Sequence, residues 1–472
     1  MRLLLLFAAC LAGTVSAAQV LPPEIDAALA AARIPPDAVT LVVTDVDPAV
    51  PPRLAHRADA SMSPASIAKL GTTLAALDLL GPASTWTTPV LADGPIVAGT
   101  LLGNLYIKGQ GDPQLVLERL WLLLRRVRAL GVDRVAGDIV LDHGAFTVPP
   151  ADPAAFDGEP LRPYNASPDA LLLNFKSVML AFAPQADGTA RVMADPPLAG
   201  VQWPAVVPLA AGACGDWRAG LRVDFGDPLH PRFAGSYAAA CGERAWPIAF
   251  PDAAGYAPRA VAGLWQAVGG LTGGVVRDGT TPVTAVPLAE SVSPPLAEVV
   301  RDINKFSNNV MAQQVFLTIG LRVRGAGTRE AAREAMGAWW RERISADPPT
   351  FDNGSGLSRD DRITARQLVQ LLQYAWASPV MPELVASLPV PGVDGTLRMT
   401  RTGVTAHLKS GSLRDVWGVA GFVDGPHGHR YVLVAIANHP NALPQAVPGT
   451  AQRTTGMRGV LEALLTWTAS QP

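Results

Sequence analysis

Apolar residues recur along the 472-residue chain in two textures, one helical and one β-like. Near the start, Glu24 to Ala32 carries a short helical pattern and Ala38 to Val46 a strand-like run. Ser66 opens a stronger helical segment that reaches Leu80. There Leu70, Leu74, Leu77 and Leu80 recur at helical spacing, and Gly81-Pro82 ends it. From about Thr87 to Pro251 the pattern changes. Short β-like pieces, Leu105 to Lys108, Asp138 to Asp142 and Val201 to Val207, alternate with turns rich in Pro and Gly. One predicted helix, Pro113 to Leu130, interrupts them. Helical spacing returns over Ala257 to Val268, Pro295 to Ile303, Ser307 to Gly320, Thr328 to Ser345 and Thr364 to Trp376. Strand candidates follow at Thr405 to Ser412, Trp417 to Asp424 and Arg430 to Asn438. Gly425-Pro426-His427-Gly428 reads as a hairpin turn between the last two. A final helix is predicted over Gln452 to Thr468, and no short-period repeat is present.

These textures predict an α/β protein of the α+β kind. One domain, residues 18–86 and 252–472, is interrupted by a β-rich module over 87–251, expected to divide into two subdomains. The length agrees, since 472 residues exceed what one hydrophobic core ordinarily supports. Hydrophobic residues make up 49% and charged ones 17%, which is a globular composition rather than a disordered one. Formal net charge is −2 and no Lys/Arg cluster forms a phosphate-tracking stripe, so nothing favours nucleic acid as a partner.

The first residues read as a signal peptide, residues 1–17. Arg2 supplies the positive start, Leu3 to Ala12 the apolar run, and Val15-Ser16-Ala17 small residues at a cleavage site. The run is far short of the roughly 20 residues needed to span a bilayer. The mature protein is expected to be exported, to the periplasm or cell envelope, with at most peripheral membrane association. Removal of Cys10 leaves Cys214 and Cys241, which an oxidising compartment would join as a disulfide; two buried free thiols are the alternative.

The basic residues are skewed toward arginine. Five lysines (Lys69, Lys108, Lys176, Lys305, Lys409) leave 33 of the 38 basic positions as Arg. Arg cannot lose its proton near neutral pH, whereas a buried Lys can, so each Lys is a candidate for proton chemistry. Lys108 and Lys176 have no motif around them and read as incidental. Lys69 closes Ser66-Ile67-Ala68-Lys69. Residues i and i+3 lie on one helix face, so hydroxyl and amine can meet, and a serine needs such a base to become a nucleophile. Ser307-Asn308-Asn309 fits either a plain helix cap or a proton relay with an amide clamp. Lys409-Ser410-Gly411-Ser412 lies on a predicted strand, where Lys409 and Gly411 share a face. There Gly lets a substrate backbone approach and Lys attracts a carboxylate; the bland alternative is an exposed edge strand protected by its Lys.

Taken in order, these segments match the Ser-x-x-Lys, Ser-x-Asn and Lys-Thr-Gly set of penicillin-binding proteins and serine β-lactamases. The chain resembles the low-molecular-mass class C penicillin-binding proteins, the D-alanyl-D-alanine carboxypeptidase/endopeptidase family, over nearly the whole mature sequence. About 240 residues separate Ser66 from Ser307, where that family carries β-rich inserted domains. Asp352-Asn353-Gly354-Ser355-Gly356-Leu357-Ser358, Asp394-Gly395-Thr396-Leu397 and Gly411-Ser412-Leu413 also look like family segments. Ser410 stands where Thr is usual and keeps the hydroxyl; Asn308 stands where Asp is common.

The resemblance implies a penicillin-binding/serine β-lactamase-like domain, an antiparallel sheet flanked by helices, with a large β-rich insertion. It implies Ser66 as nucleophile, Lys69 as base and Ser307 as proton relay. Asn309, Lys409 and Ser410 would hold the substrate, and the N–H groups of Ser66 and Ser412 would form the oxyanion hole. The expected partners are peptidoglycan stem peptides ending in D-Ala-D-Ala and β-lactam antibiotics. No metal or organic cofactor is expected. Three other readings stay open. A Ser/His/Asp hydrolase lacks support, because no Gly-x-Ser-x-Gly elbow is present and the seven histidines follow no such pattern. A β-lactamase would have to clear its acyl-enzyme quickly, and a cell-wall scaffold would retain the fold without turnover. His407, two residues before Lys409, receives no role.

Overall fold

The computed structural model describes residues 20–446 and 453–472. The expected signal peptide and Cys10 lie outside the described residues, as does Gln452 at the predicted start of the last helix.

The centre of the domain that the insertion interrupts is a five-stranded antiparallel sheet. Its order is Ala406–Leu413, Val416–Asp424, Arg430–Asn438, Val39–Asp45 and Leu54–His56. Along Arg430–Asn438 the side chains alternate between two cores. Tyr431, Leu433, Ala435 and Ala437 pack with the helices Pro23–Ala32 and Met457–Ala469, whereas Val432, Val434 and Ile436 pack into a helical lobe on the opposite face. Burial on both faces explains why this strand reads as one apolar run. The lobe is built from Lys69–Leu80, Leu296–Phe306, Asn309–Arg324, Arg329–Arg343, Ala365–Ala377 and Met381–Ser387. Ala406–Leu413 lies at the edge of the sheet, leaving one side of its backbone open toward the segment that carries Ser66.

Two five-stranded sheets dominate the inserted module. One has the order Val276–Asp278, Ile139–Asp142, Leu105–Lys108, Thr87–Ala92, Val286–Val292; the other Tyr237–Ala238, Val206–Ala210, Thr189–Asp195, Ser177–Pro184, Arg244–Ala249. The helix Ala253–Ala267 gives Tyr256, Val261, Leu264 and Trp265 to the module's core, and Val286–Val292 pairs with Thr87–Ala92. The β-rich module therefore extends past the expected end at 251, to about residue 292. Strand pairing between the two ends of the insertion is non-local and leaves no local mark. A second correction concerns Val201 to Val207, where the strand begins only at Val206. Residues 201–205 are irregular. Cys214 and Cys241 are joined in a disulfide within this module.

Candidate active site

Ser66 sits in a tight 3₁₀ turn, Ala65–Ala68, that runs directly into the helix Lys69–Leu80. Ala65 has φ of 48°, a left-handed backbone that a residue with a Cβ seldom adopts. That turn presents the half-buried Ser66 side chain to a cleft while sending Lys69 into the interior, fully buried. The i, i+3 spacing brings the two together, with Lys69 Nζ 2.9 Å from Ser66 Oγ.

Lys69 Nζ has two further partners. Asn309 Oδ1 accepts at 2.7 Å, and the carbonyl of Ser355 also accepts. The Asp352–Ser358 loop is shaped to reach it. Asn353 Oδ1 accepts from the N–H and hydroxyl of Ser355, and Thr72 donates to the Gly354 carbonyl at 2.7 Å. Gly356 has φ of 76°, and a Cβ there would meet the Ala65 carbonyl oxygen, so the loop passes the Ser66 turn only as glycine.

Burial and the neighbouring charge of Lys409 hold the Lys69 amine well below its ordinary range, partly opposed by Asp361. Asp361 is itself buried, which pushes its carboxyl up to about 6. One of its oxygens accepts from the Asp352 N–H at 2.6 Å, pinning the start of the loop that reaches Lys69.

The second serine is placed by a helix junction. Leu296–Phe306 ends with Ser307 in the left-handed region, φ 57°. The next helix, Asn309–Arg324, is capped by Asn308, whose Oδ1 accepts from the Met311 N–H at 3.1 Å. Asn308 thus takes the capping task and leaves the Ser307 hydroxyl free to accept from Lys409 Nζ at 3.0 Å. Lys409 is buried on the edge strand and also donates to the Ser410 carbonyl at 2.7 Å. Burial without a counter-charge lowers its amine to about 7.

Gly411 faces the Ser66 turn. A Cβ there would lie 2.7 Å from Ser66 N and 2.9 Å from Ile67 N. The glycine is therefore required by the close packing of the strand on the Ser66 turn, in addition to any substrate approach.

Ser410 Oγ lies 2.6 Å from Thr396 Oγ1, and Ser412 is exposed on the strand edge. Asn309 Nδ2 donates to the Tyr164 carbonyl at 3.4 Å, which ties the inserted module to the site. All of Ser66, Ser307, Asn309, Ser410, Gly411 and Ser412 line one cleft of about 1170 Å³, and Phe156, Tyr164, Met179 and Pro247 wall it from the module. His407 shares the Lys409 face of its strand but does not line that cleft.

Sequence reasoning missed Ser355, Asp361, Thr396 and Tyr164. Ser355 and Thr396 lie in segments that stood out as family-like but carried no role. Tyr164 and Ser355 act through backbone carbonyls, which no side-chain pattern reports. Lys305, also without a role in the sequence, is buried and bonds Asp394 at 2.6 Å and the Leu388 carbonyl, fixing the 388–397 loop.

A hydroxyl on a buried amine, set between an antiparallel sheet and a helical lobe, places the chain among the active-serine proteins of penicillin-binding fold. The comparisons with known proteins agree. The D-Ala-D-Ala carboxypeptidase 3 (S13) family profile matches residues 21–455, and the chain belongs to that family. A D-alanyl-D-alanine carboxypeptidase of Actinomadura sp. (strain R39) is 30% identical over 417 residues, 81% of this chain and 75% of that protein. The D-alanyl-D-alanine carboxypeptidase DacB of Haemophilus influenzae is 24% identical over 80% of each chain. The crystal structure of penicillin-binding protein 4 from Haemophilus influenzae superposes with a TM-score of 0.76 at 20% identity. It covers 95% of this chain and 99% of that one, which shows the shared fold.

Proposed function

We propose that the protein is a serine-type D-alanyl-D-alanine carboxypeptidase acting on peptidoglycan stem peptides through an acyl-enzyme on Ser66. One observation carries this reading, the arrangement around Lys69 Nζ. A neutral amine has two N–H donors and one lone pair. Its partners are two carbonyl acceptors, Asn309 Oδ1 and Ser355 O, and one hydroxyl, Ser66. Nζ faces Ser66 Oγ as a donor at 2.9 Å; with the amine neutral, its two donations to Asn309 and Ser355 would leave the lone pair turned to Ser66, ready to take the hydroxyl proton as a general base does.

The mechanism follows from the positions. Ser66 Oγ attacks the carbonyl of the penultimate D-Ala as its proton passes to Lys69. The developing oxyanion is held by the N–H groups of Ser66 and Ser412, which the close fit of Gly411 on the nucleophile turn keeps in register. The C–N bond breaks, and Ser307, bonded to Lys409, passes a proton to the departing amine. D-Alanine leaves, its carboxylate having been held by Lys409 and Ser410. Asn309 orients the acyl side, its amide nitrogen exchanging the Tyr164 carbonyl for the substrate. Water then attacks the ester; its proton replaces the one that Ser307, backed by Lys409, gave to the amine, and the acyl C–O bond breaks as Lys69 returns its proton to Ser66. A charged Lys409 supports both steps, since it attracts the carboxylate and disfavours a second charge on Lys69.

β-Lactams present a carboxylate and a reactive amide in the same relation and acylate Ser66. A β-lactam complex of the Haemophilus influenzae penicillin-binding protein 4 supports this reading; it superposes with a TM-score of 0.72. A peptidoglycan substrate and the signal peptide expected over residues 1–17 support a location outside the cytoplasmic membrane for the mature chain. Among the described residues no helix is long and apolar enough to cross a membrane.

The test is release of free D-alanine from a muramyl pentapeptide by the mature protein and by Ser66→Ala. Release by the first and not the second is expected. Release by both, or by neither while the protein is folded, contradicts the reading.

A further inference from the structure

The inserted module meets the helix Asn309–Arg324 in a polar cluster that lies outside the catalytic groups. Gln314, buried in the second turn of that helix, reads the backbone of Asp169 in both directions. Its Oε1 accepts from the Asp169 N–H at 2.9 Å, and its Nε2 donates to the Asp169 carbonyl at 2.8 Å. The Asp169 carboxylate is occupied in turn. Oδ1 bonds His143 Nδ1 at 2.5 Å and accepts from the Leu171 N–H at 3.0 Å, and Oδ2 pairs with Lys176 Nζ at 2.8 Å. The other ring nitrogen of His143 lies 3.2 Å from Asp278 Oδ1. His143 follows the strand Ile139–Asp142, which pairs with Val276–Asp278, so it anchors Asp169 to the module's sheet.

The segment held in this way walls the cleft. The Tyr164 carbonyl takes the Asn309 amide, and Phe175 lines the cleft while packing with Ala166, Leu172 and Val310, the residue after Asn309. Asn174, Phe175 and Lys176 all have left-handed backbones, with φ of 42°, 56° and 52°. Residues with a Cβ adopt that conformation seldom and singly, so a run of three needs fixing from outside. Asn174 supplies one fix, bonding the Leu117 N–H and the Ser177 carbonyl, and the Lys176–Asp169 pair supplies the other.

Charge balance sets the task of His143. Asp169 and Asp278 bring two carboxylates, and Lys176 and an imidazolium bring two cations. Both ring nitrogens must carry protons to donate to both carboxylates; a neutral ring turns a lone pair on one of them. Burial opposes the charge, but the bonds to Asp169 and Asp278 outweigh it and hold the imidazole above its ordinary range. The neighbouring charges have other partners. Asp142, next in the chain, accepts from the Gly144 and Thr281 N–H groups and feels the charge of Lys108, and Arg277 is paired with Asp138. The helix faces the cluster with the neutral Gln314.

We infer that His143 is a positioning residue whose imidazolium, bridging Asp169 and Asp278, holds residues 164–176 of the module against the helix that begins at Asn309 and so fixes the acyl-side wall of the cleft. The inference rests on the roles proposed for Ser66 and Asn309. Loss of the ring proton sets a lone pair against a carboxylate, so the bridge weakens as pH rises through the imidazole's titration, and the grip on Asn309 and Phe175 weakens with it.

The experiment compares acylation of the mature protein by benzylpenicillin and by 6-aminopenicillanic acid, from pH 6 to pH 9, in wild type and His143→Gln. The two compounds share the ring and the carboxylate, but benzylpenicillin alone offers Asn309 an acyl-side amide. Lys69, Lys409 and Asp361 act on both, so their titrations cancel in the ratio of the two acylation rate constants. Gln keeps a donor and an acceptor but cannot take the charge. At pH 6 the variant is expected to lower the benzylpenicillin-to-6-aminopenicillanate ratio about fivefold, the low end of ordinary coupling between two sites. The two proteins should converge as pH rises to 9, where the wild-type ring also loses its proton. A ratio unchanged at pH 6, or a deficit equal at both ends as a merely structural role would give, overturns the inference. Hydrogen exchange of the wild type needs no variant. Corrected for intrinsic rates, residues 163–176 should lose protection between pH 6 and pH 9 while Arg430–Asn438 keeps its own; protection that does not change overturns the inference. A wild type that takes no penicillin on Ser66 contradicts the proposed function instead, and the exchange result still decides the inference.

Discussion

Gly411→Ala tests whether the site depends on the fit between the edge strand and the nucleophile turn. The added Cβ would sit 2.7 Å from Ser66 N, 2.9 Å from Ile67 N and 3.0 Å from the Pro64 carbonyl oxygen. Ordinary van der Waals contact begins at 3.4 Å, so the shortfall at Ser66 N is 3.4 − 2.7, about 0.7 Å. All three atoms are backbone, and no side chain can rotate out of the way. The strand must withdraw from the turn, or the turn from the strand. Overpacking of this kind costs about 1–3 kcal/mol. The expected catalytic effect is larger, because the displacement separates the Ser66 and Ser412 N–H groups proposed to share the oxyanion. A misplacement near 1 Å costs on the order of 100-fold. The expected result is a folded protein whose acylation by a fluorescent penicillin, followed in single turnover, is slower by roughly two orders of magnitude. Thermal unfolding followed by circular dichroism checks the fold in parallel. Acylation within about twofold of wild type would refute the close-fit argument.

Three further outcomes follow from the buried charges. Lys69→Arg keeps a cation but cannot give up a proton, so acylation should fall by about 10²–10⁴-fold; appreciable acylation would place the base elsewhere. Burial lowers the Lys409 amine to about 7, and in the proposed mechanism its charge holds the substrate carboxylate, so kcat/KM for D-alanine release should decline as pH rises above that value. A profile flat to pH 9 would contradict this role. Asp361 is raised to about 6 from 3.8, so the folded state binds the extra proton between those values. Its stabilising contribution is full below about pH 3.8 and is lost as pH rises through 6, a difference of about 3 kcal/mol at 1.36 kcal/mol per unit. Asp361→Asn removes that loss while leaving an acceptor for the Asp352 N–H. The variant should melt higher than wild type at pH 7.5 and close to it at pH 3.5; a lower melting temperature at pH 7.5 would show that the carboxylate is needed as such.

Much of the site was legible because its chemistry is written in short spacings. Ser66 and Lys69 are one helical turn apart, and Lys409 and Gly411 two residues apart on a strand, so local geometry alone pairs them. The scarcity of lysine sharpened the choice, though it missed Lys305, whose task is to hold a loop. Ser307 was harder. Its segment also fits a helix cap, and only the structure shows that Asn308 does the capping and Ser307 is released to Lys409. The sheet strands were legible as apolar runs because both faces are buried. The inserted module was less so. Val286–Val292 is largely exposed and pairs with Thr87–Ala92 far back in the chain, so neither periodicity nor spacing points to it. Asp361, Thr396 and Tyr164 reach the site through tertiary contacts between distant segments, which a single sequence does not display.

The central claim is that Ser66 is the nucleophile that carries the acyl group. Intact-mass analysis after incubation with a fluorescent penicillin, followed by peptide mapping, tests it most directly. One adduct per chain on the peptide containing Ser66, absent from Ser66→Ala, is the predicted result. A folded wild type that takes no adduct, or takes it on another residue, would contradict the claim.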